Sequence, residues 1–235
     1  MTSRFQQSCI VLAGGLGTRL RSAVGDLPKC LAPIGRRAFL DIEIDTLLAA
    51  GIDDVILSLG YGADTVVGAL AATLAARPVR YVTEPSLLGT GGAITHVMDT
   101  LGLNEVLVAN GDTYLSGDIG GMLTPLQRAQ GELFRMAVVH VPERSRFGGV
   151  QVGVDGRVEG FIDKGRQGPG EINAGLYRLC RQAMPEMRSG AYSLETEVLP
   201  GLVAQGVVTA LTVHGSFTDI GIPADYFQFC EQHGG

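Results

Sequence analysis

Short apolar runs that end at glycine, asparagine or aspartate alternate with helix-like stretches through the first part of the chain. This alternation restricts the fold to parallel strands joined by crossover helices. The runs are SCIVLA before GGLGTRL, DDVILSL before the alanine-rich ADTVVGALAATLAA, PVRYV before GTGGAITHVMDTL, and NEVLVAN, which stops at Gly111-Asp112. Parallel neighbours cannot be closed by a two-residue hairpin and need a long return connection, usually helical. Runs this uniformly apolar also require cover on both faces. The pattern predicts a three-layer α/β/α sandwich.

From about residue 131 the texture changes. FRMAVVHV, GGVQVGV, RVEGFI and EINAGLYRL are strand-like, with Asp155-Gly156 as a hairpin turn, and read as a β-rich extension. Helices are expected around Arg181 to Met187 and Leu194 to Ala204, then a strand at VVTALTV and the closing segment SFTDIGIPADYFQF. No linker, repeat or charge run divides the chain, so one domain over 1–235 is expected, in parts of about 7–130, 131–216 and 217–235.

A net charge of −6 argues against a nucleic-acid or anionic-membrane surface, both of which call for basic fields. Cys9, Cys30, Cys180 and Cys230 show no paired-ligand spacing, so free thiols and a cytoplasmic setting are expected. The four histidines lack metal-ligand spacing, and no GxSxG elbow is present for a serine nucleophile. Glycine, at 34 of 235 residues, is about twice its average usage, which puts the weight of function on loops.

One such loop, LAGGLGTRL, sets Gly14, Gly15 and Gly17 directly after a buried strand, where free amides cradle phosphate oxygens. Thr18 and Arg19 follow in place of the Lys-Ser/Thr of a Walker A loop. The dinucleotide fingerprint fails as well, because Leu20 occupies its third glycine position. Arg19 and Lys29 add two cations suited to a polyphosphate and a leaving pyrophosphate. The plain alternative is a surface turn with two solvated cations.

The stretch GGLGTRLRSAVGDLPK resembles the signature of the sugar-1-phosphate nucleotidyltransferases, a Gly-Gly-x-Gly-Thr-Arg loop followed by Pro-Lys. The match continues through EPSLLGTGGA at Glu84 to Ala93, ANGD at Ala109 to Asp112, Asp163-Lys164, NAGLY at Asn173 to Tyr177 and FTDIGIP at Phe217 to Pro223. Ser22-Ala23, Cys30 and Asp163 depart from common family residues. The resemblance implies a glycosyltransferase-A-like sandwich with a Rossmann-like mixed sheet and a small β-rich sugar-binding extension. It assigns 7–130 to the nucleotide, 131–216 to the sugar and 217–235 to a metal-ligand segment and helix.

The implied reaction joins a nucleoside triphosphate, GTP favoured, to a sugar 1-phosphate, a heptose favoured, with release of pyrophosphate. By the same resemblance Asp112 and Asp219 hold Mg²⁺, Arg19 takes the leaving phosphates and Lys29 the phosphates near the point of attack. Ala13, Gly14, Gly15, Gly17, Thr18, Arg19, Glu84, Gly89, Thr90 and Asn110 are implied on the nucleotide side. Gly148, Asp163, Lys164, Asn173, Gly175 and Glu195 are implied on the sugar-phosphate side. Two carboxylates, with water and phosphate oxygens, suffice for Mg²⁺; a turn at Asp112 and a helix cap at Asp219 are the structural alternatives. A mannose-type guanylyltransferase, a uridylyl- or thymidylyltransferase, and a non-catalytic nucleotide-sugar sensor are the competing functions, with a homo-oligomer left open.

Overall fold

The computed structural model describes residues 7–15, 20–185 and 190–234. In chain order the strands are β1 (Ser8–Leu12), β2 (Pro33–Ile34), β3 (Arg37–Ala38), β4 (Asp54–Leu59), β5 (Val79–Thr83), β6 (Glu105–Asn110), β7 (Thr113–Leu115), β8 (Phe134–Val141), β9 (Gly149–Val152), β10 (Val158–Ile162), β11 (Gly170–Cys180), β12 (Val208–Thr212) and β13 (Phe217–Asp219). The α-helices are α1 (Arg21–Val24), α2 (Phe39–Ala49), α3 (Ala63–Ala69), α4 (Ala71–Ala76), α5 (Gly89–Leu101), α6 (Gly120–Leu123), α7 (Leu199–Ala204) and α8 (Pro223–His233). A mixed sheet of seven strands has the order β12-β8-β11-β6-β1-β4-β5, and β9–β10, β7–β13 and β2–β3 form separate pairs. The fold is of the α/β class expected. None of the described helices is long and apolar enough to cross a membrane.

The chain divides into two compact units. The first comprises 1–87, 109–114 and 217–235, the second 88–108 and 115–216. In the first, β1 pairs in parallel with β4, and β4 with β5. All six residues of β4 are buried, as a strand covered on both faces must be. One hydrophobic cluster of this unit gathers Leu20, Ala32, Ile34, Phe39, Ile42, Ile220, Tyr226 and Phe229. There Phe229 meets Phe39 and Tyr114 edge-on at centroid distances of 5.5 and 5.0 Å.

In the second unit β8 pairs antiparallel with β11 and parallel with β12. Of the strand-like runs after residue 131, therefore, β8, β11 and β12 enter the main sheet and only the β9–β10 hairpin stands apart. The hairpin turns through Gly156, at φ +80°.

Two helix expectations are corrected, and a third, Leu194 to Ala204, is helical with an unexpected first turn. The alanine-rich stretch is two helices, α3 and α4, broken at buried Leu70 with φ −100° and ψ 14°. The helix expected from Arg181 is a single 3-10 turn, Arg181–Ala183, after which Met184 is extended; its far end at Met187 lies outside the described residues. The stretch from Leu194 opens as a π turn, Leu194–Val198, before α7.

Candidate active site

In the first unit the end of β1 leads into the glycine loop. Ala13 N donates to Ser58 O at 3.0 Å, and Tyr61 N donates to Gly14 O at 3.3 Å. A Cβ on Gly14 would lie 2.6 Å from Glu84 Oε1 and 2.7 Å from Gly60 N, so no side chain fits there. Glu84 is anchored by its own N–H on Leu59 O at 2.7 Å, and its Oε1 accepts from Ser58 Oγ at 3.3 Å. The structure thus brings Ala13, Gly14 and Glu84 together, with Gly15 exposed beside them. Gly17, Thr18 and Arg19 lie outside the described residues.

Lys29 begins a 3-10 turn, Lys29–Leu31, directly after Pro28 and is buried. Its Nζ donates to Asp112 Oδ2 at 2.7 Å and lies 3.6 Å from Asp219 Oδ1. Two elements converge to make this possible. Asp112 follows β6 through Gly111, whose N–H donates to Leu12 O at 3.1 Å, and Asp112 O accepts from Ile220 N at 3.1 Å, tying it to the residue after Asp219. A Cβ on Gly221 would collide with Lys29 Nζ, so the glycine makes room for the ammonium while its N–H donates to Asp219 Oδ1 at 2.8 Å. Asp219 does not cap α8, whose N-cap is Ile222.

Two carboxylates against one ammonium leave a net negative site. Asp112 Oδ1 and Asp219 Oδ2 accept no hydrogen bond among the described residues, and no cluster of three or more His, Cys, Asp or Glu suited to a metal occurs among them. Such a donor set fits a hard divalent cation that completes its shell with water and phosphate.

Glu43 of α2, within electrostatic reach of Asp112, is buried, its Oε2 without a hydrogen-bond partner among the described residues. Burial, reinforced by the charge of Asp112, holds its carboxyl well above the usual range. The same burial, with Glu43 nearby, pushes the Cys30 thiol up to about 12.

In the second unit the expected residues form three groups. Thr90, on the first turn of α5, donates from Oγ1 to Glu195 Oε2 at 2.6 Å, and Gly89 precedes it at φ +70° against Tyr192 O. Gly148, at φ +81°, packs on Ile162 O, with Lys164 Cγ 3.7 Å from where its Cβ would stand; Asp163 and Lys164 are exposed. Asn173 donates from Nδ2 to Tyr177 Oη at 2.8 Å and accepts from Gly175 N at 2.9 Å, spanning the register shift between Asn173 and Tyr177 in β11. The Asn173 side chain thus shapes the strand.

The motifs ran through Gly221 and Tyr177 without giving either a role, and they passed over Ser58, Ser193 and Glu43. Ser58 had a visible signal, a lone hydroxyl inside the apolar run DVILSL, and Glu43 another, a carboxylate between two isoleucines in FLDIEI.

A glycine loop at the end of a parallel strand, beside two aspartates that share a buried lysine, is the equipment of an α/β protein that handles phosphates. The nucleotidyl transferase family model matches residues 8–233, and the chain belongs to that family. A D-glycero-alpha-D-manno-heptose 1-phosphate guanylyltransferase of Aneurinibacillus thermoaerophilus is 35% identical over 219 residues, covering 92% of this chain and 94% of the relative. HddC from Yersinia pseudotuberculosis superposes with a TM-score of 0.85 at 33% identity over 96% of this chain and 99% of that one, and its complex with GMP-PN superposes at 0.83. A mannose-1-phosphate guanylyltransferase of Mycobacterium tuberculosis is 31% identical over 94% of this chain, which spans 63% of that relative. The family resemblance read from the motifs is thereby borne out.

Proposed function

We propose that this protein transfers a guanylyl group from GTP to D-glycero-α-D-manno-heptose 1-phosphate, giving the GDP-sugar and pyrophosphate. The observation that carries this reading is Lys29 held between Asp112 and Asp219, in a chain whose near full-length relatives include a heptose 1-phosphate guanylyltransferase. In-line attack of one phosphate on another brings anions together, so the protein's work is charge screening and alignment. No covalent nucleophile is required.

Lys29 supplies a fixed cation where the attacking and attacked phosphates meet, and Arg19 takes the leaving phosphates. The backbone amides of the glycine loop and Asn110 bind along the nucleotide, and Glu84 accepts from the guanine N–H edge. Tyr61 and Leu87, both exposed beside Gly14 and Gly60, add apolar surface for the base. Lys164 binds the phosphate of the sugar, next to Gly148 and Asp163, Glu195 accepts from sugar hydroxyls, and Asn173 and Gly175 line the sugar side. Asp112 and Asp219 would hold Mg²⁺, which supplies charge neutralisation on the reacting phosphates.

Pyrophosphate release from the purified protein with Mg²⁺ tests this. Each of the four NTPs is paired with heptose, mannose, glucose and N-acetylhexosamine 1-phosphates. Release confined to GTP and the heptose is expected. Preference for mannose 1-phosphate would favour the mannose-type activity instead, and nucleotide-sugar binding without release on any pair would favour a sensor.

A further inference from the structure

We propose that Thr90 is a positioning residue for the sugar substrate and not a nucleotide ligand: its hydroxyl fixes the Glu195 carboxylate as an acceptor for adjacent hydroxyls of the sugar phosphate. This inference rests on the reading of Glu195 as a sugar contact.

A threonine hydroxyl has one proton to give. Thr90 gives it to Glu195 Oε2 at 2.6 Å and at the same time accepts from Leu194 N at 2.9 Å, so it has no proton left for a phosphate oxygen. Ser193 Oγ donates to the same carboxylate oxygen at 3.0 Å and itself accepts from Thr196 N at 3.2 Å. Glu195 Oε2 is thereby saturated from two sides, while Oε1 accepts nothing among the described residues. A carboxylate with one oxygen clamped and the other open is suited to hydroxyl donors, and the charge strengthens those bonds.

The clamp is anchored to rigid backbone. Gly91 N and Gly92 N share Tyr192 O at 3.0 and 3.3 Å, Tyr192 N donates to Leu88 O at 2.9 Å, and the Tyr192 and Thr95 hydroxyls are 2.6 Å apart. The first turn of α5 is thus fastened to the segment that carries Glu195. That segment is wound as a π turn for a local reason. Pro200 has no N–H for the carbonyl of Thr196, and Leu199 N reaches back to Leu194 O instead. The wider turn sets Glu195 on the side of the helix start where Thr90 and Ser193 meet it.

Steady-state kinetics on the full chain test the assignment, with GTP and the sugar 1-phosphate varied separately. Thr90→Val keeps the branched shape and deletes the hydroxyl. It is expected to raise KM for the sugar phosphate by about ten- to a hundredfold, the range of one hydrogen bond to a charged group, and to leave KM for GTP unchanged. Thr90→Ser should restore the wild-type value. In a Glu195→Gln background Thr90→Val should add little, because the pair acts as a unit. Ser193→Ala, which removes the second donor, should move KM for the sugar phosphate in the same direction by less, and it carries the test if thermal melting shows Thr90→Val unfolded. A rise in KM for GTP with Thr90→Val, additive effects with Glu195→Gln, or an unchanged sugar KM in Ser193→Ala would overturn the proposal while leaving the reaction intact. Absence of pyrophosphate release from the wild type on every pair would overturn the underlying reading and this inference with it.

Discussion

Lys29 is closely held by its surroundings. With its side chain 10% exposed and Asp112 Oδ2 at 2.7 Å, its charge depends on the two aspartates for compensation. Asp112→Asn and Asp219→Asn are each expected to lower kcat by at least about a hundredfold with melting temperature little changed, since both side chains are part-exposed. Near-normal turnover in either would remove it from the mechanism. Glu43 gives a separate prediction with a definite sign. Its folded-state pKa is raised, so its contribution to stability is fully present below the unfolded carboxylate range and is lost as pH rises through the folded value. Glu43→Gln should therefore be more stable than wild type at neutral pH, and the gap in unfolding free energy should widen by up to about 1.4 kcal/mol per pH unit above pH 5. Parallel thermal melts from pH 4.5 to 8 would show it; a pH-independent gap would refute it. Lys29, Asp112 and Asp219 were legible because each sits in a motif with fixed neighbours. Ser58 and Glu43 were harder, because a polar residue in an apolar run discloses its burial but not what it faces.

Elements deliver these side chains, and their irregularities matter more than their regular parts. In the second unit Glu132, just ahead of β8, accepts from Arg135 Nε at 2.8 Å and Nη2 at 2.7 Å, and Thr209 of β12 donates to it as well. Burial pushes the Glu132 carboxyl up, yet Arg135, Gln127 N and Thr209 together hold it below the ordinary value. Its stabilisation is thus present above the unfolded carboxylate range and lost as pH falls through the folded value. Glu132→Gln should cost about 3–5 kcal/mol in urea unfolding at pH 7, and the loss should shrink in acid. Strands β1, β4, β5, β6 and β8 could be read from the sequence because an apolar run between turn signals has few alternatives. The π turn could not, since Pro200 shows where an α-helical bond is missing but not that Leu194 N is tied to Thr90 Oγ1 across 104 residues. The break at Leu70 escaped because alanine-rich sequence favours an unbroken helix, and nothing local announces the ψ of 14° at this buried residue.

At the scale of the whole molecule the four cysteines offer a check on the fold. All are free; Cys9, Cys30 and Cys180 are buried and Cys230 is partly exposed. A thiol reagent should modify Cys230 alone in the native protein and all four after denaturation, so rapid native reaction at a second cysteine would contradict the core. The α/β class was readable because the alternation of runs and helices extends over so much of the chain. The membership of β8, β11 and β12 in the main sheet was not, because the pattern within a strand does not name its neighbours. The ammonium shared by two aspartates has a consequence for descent. Removing both carboxylates strands a buried charge, and replacing the lysine sets two like charges facing one another. A lineage that abandoned the chemistry could lose one aspartate at little cost to the fold, but the second would be free to go only after the lysine had been replaced.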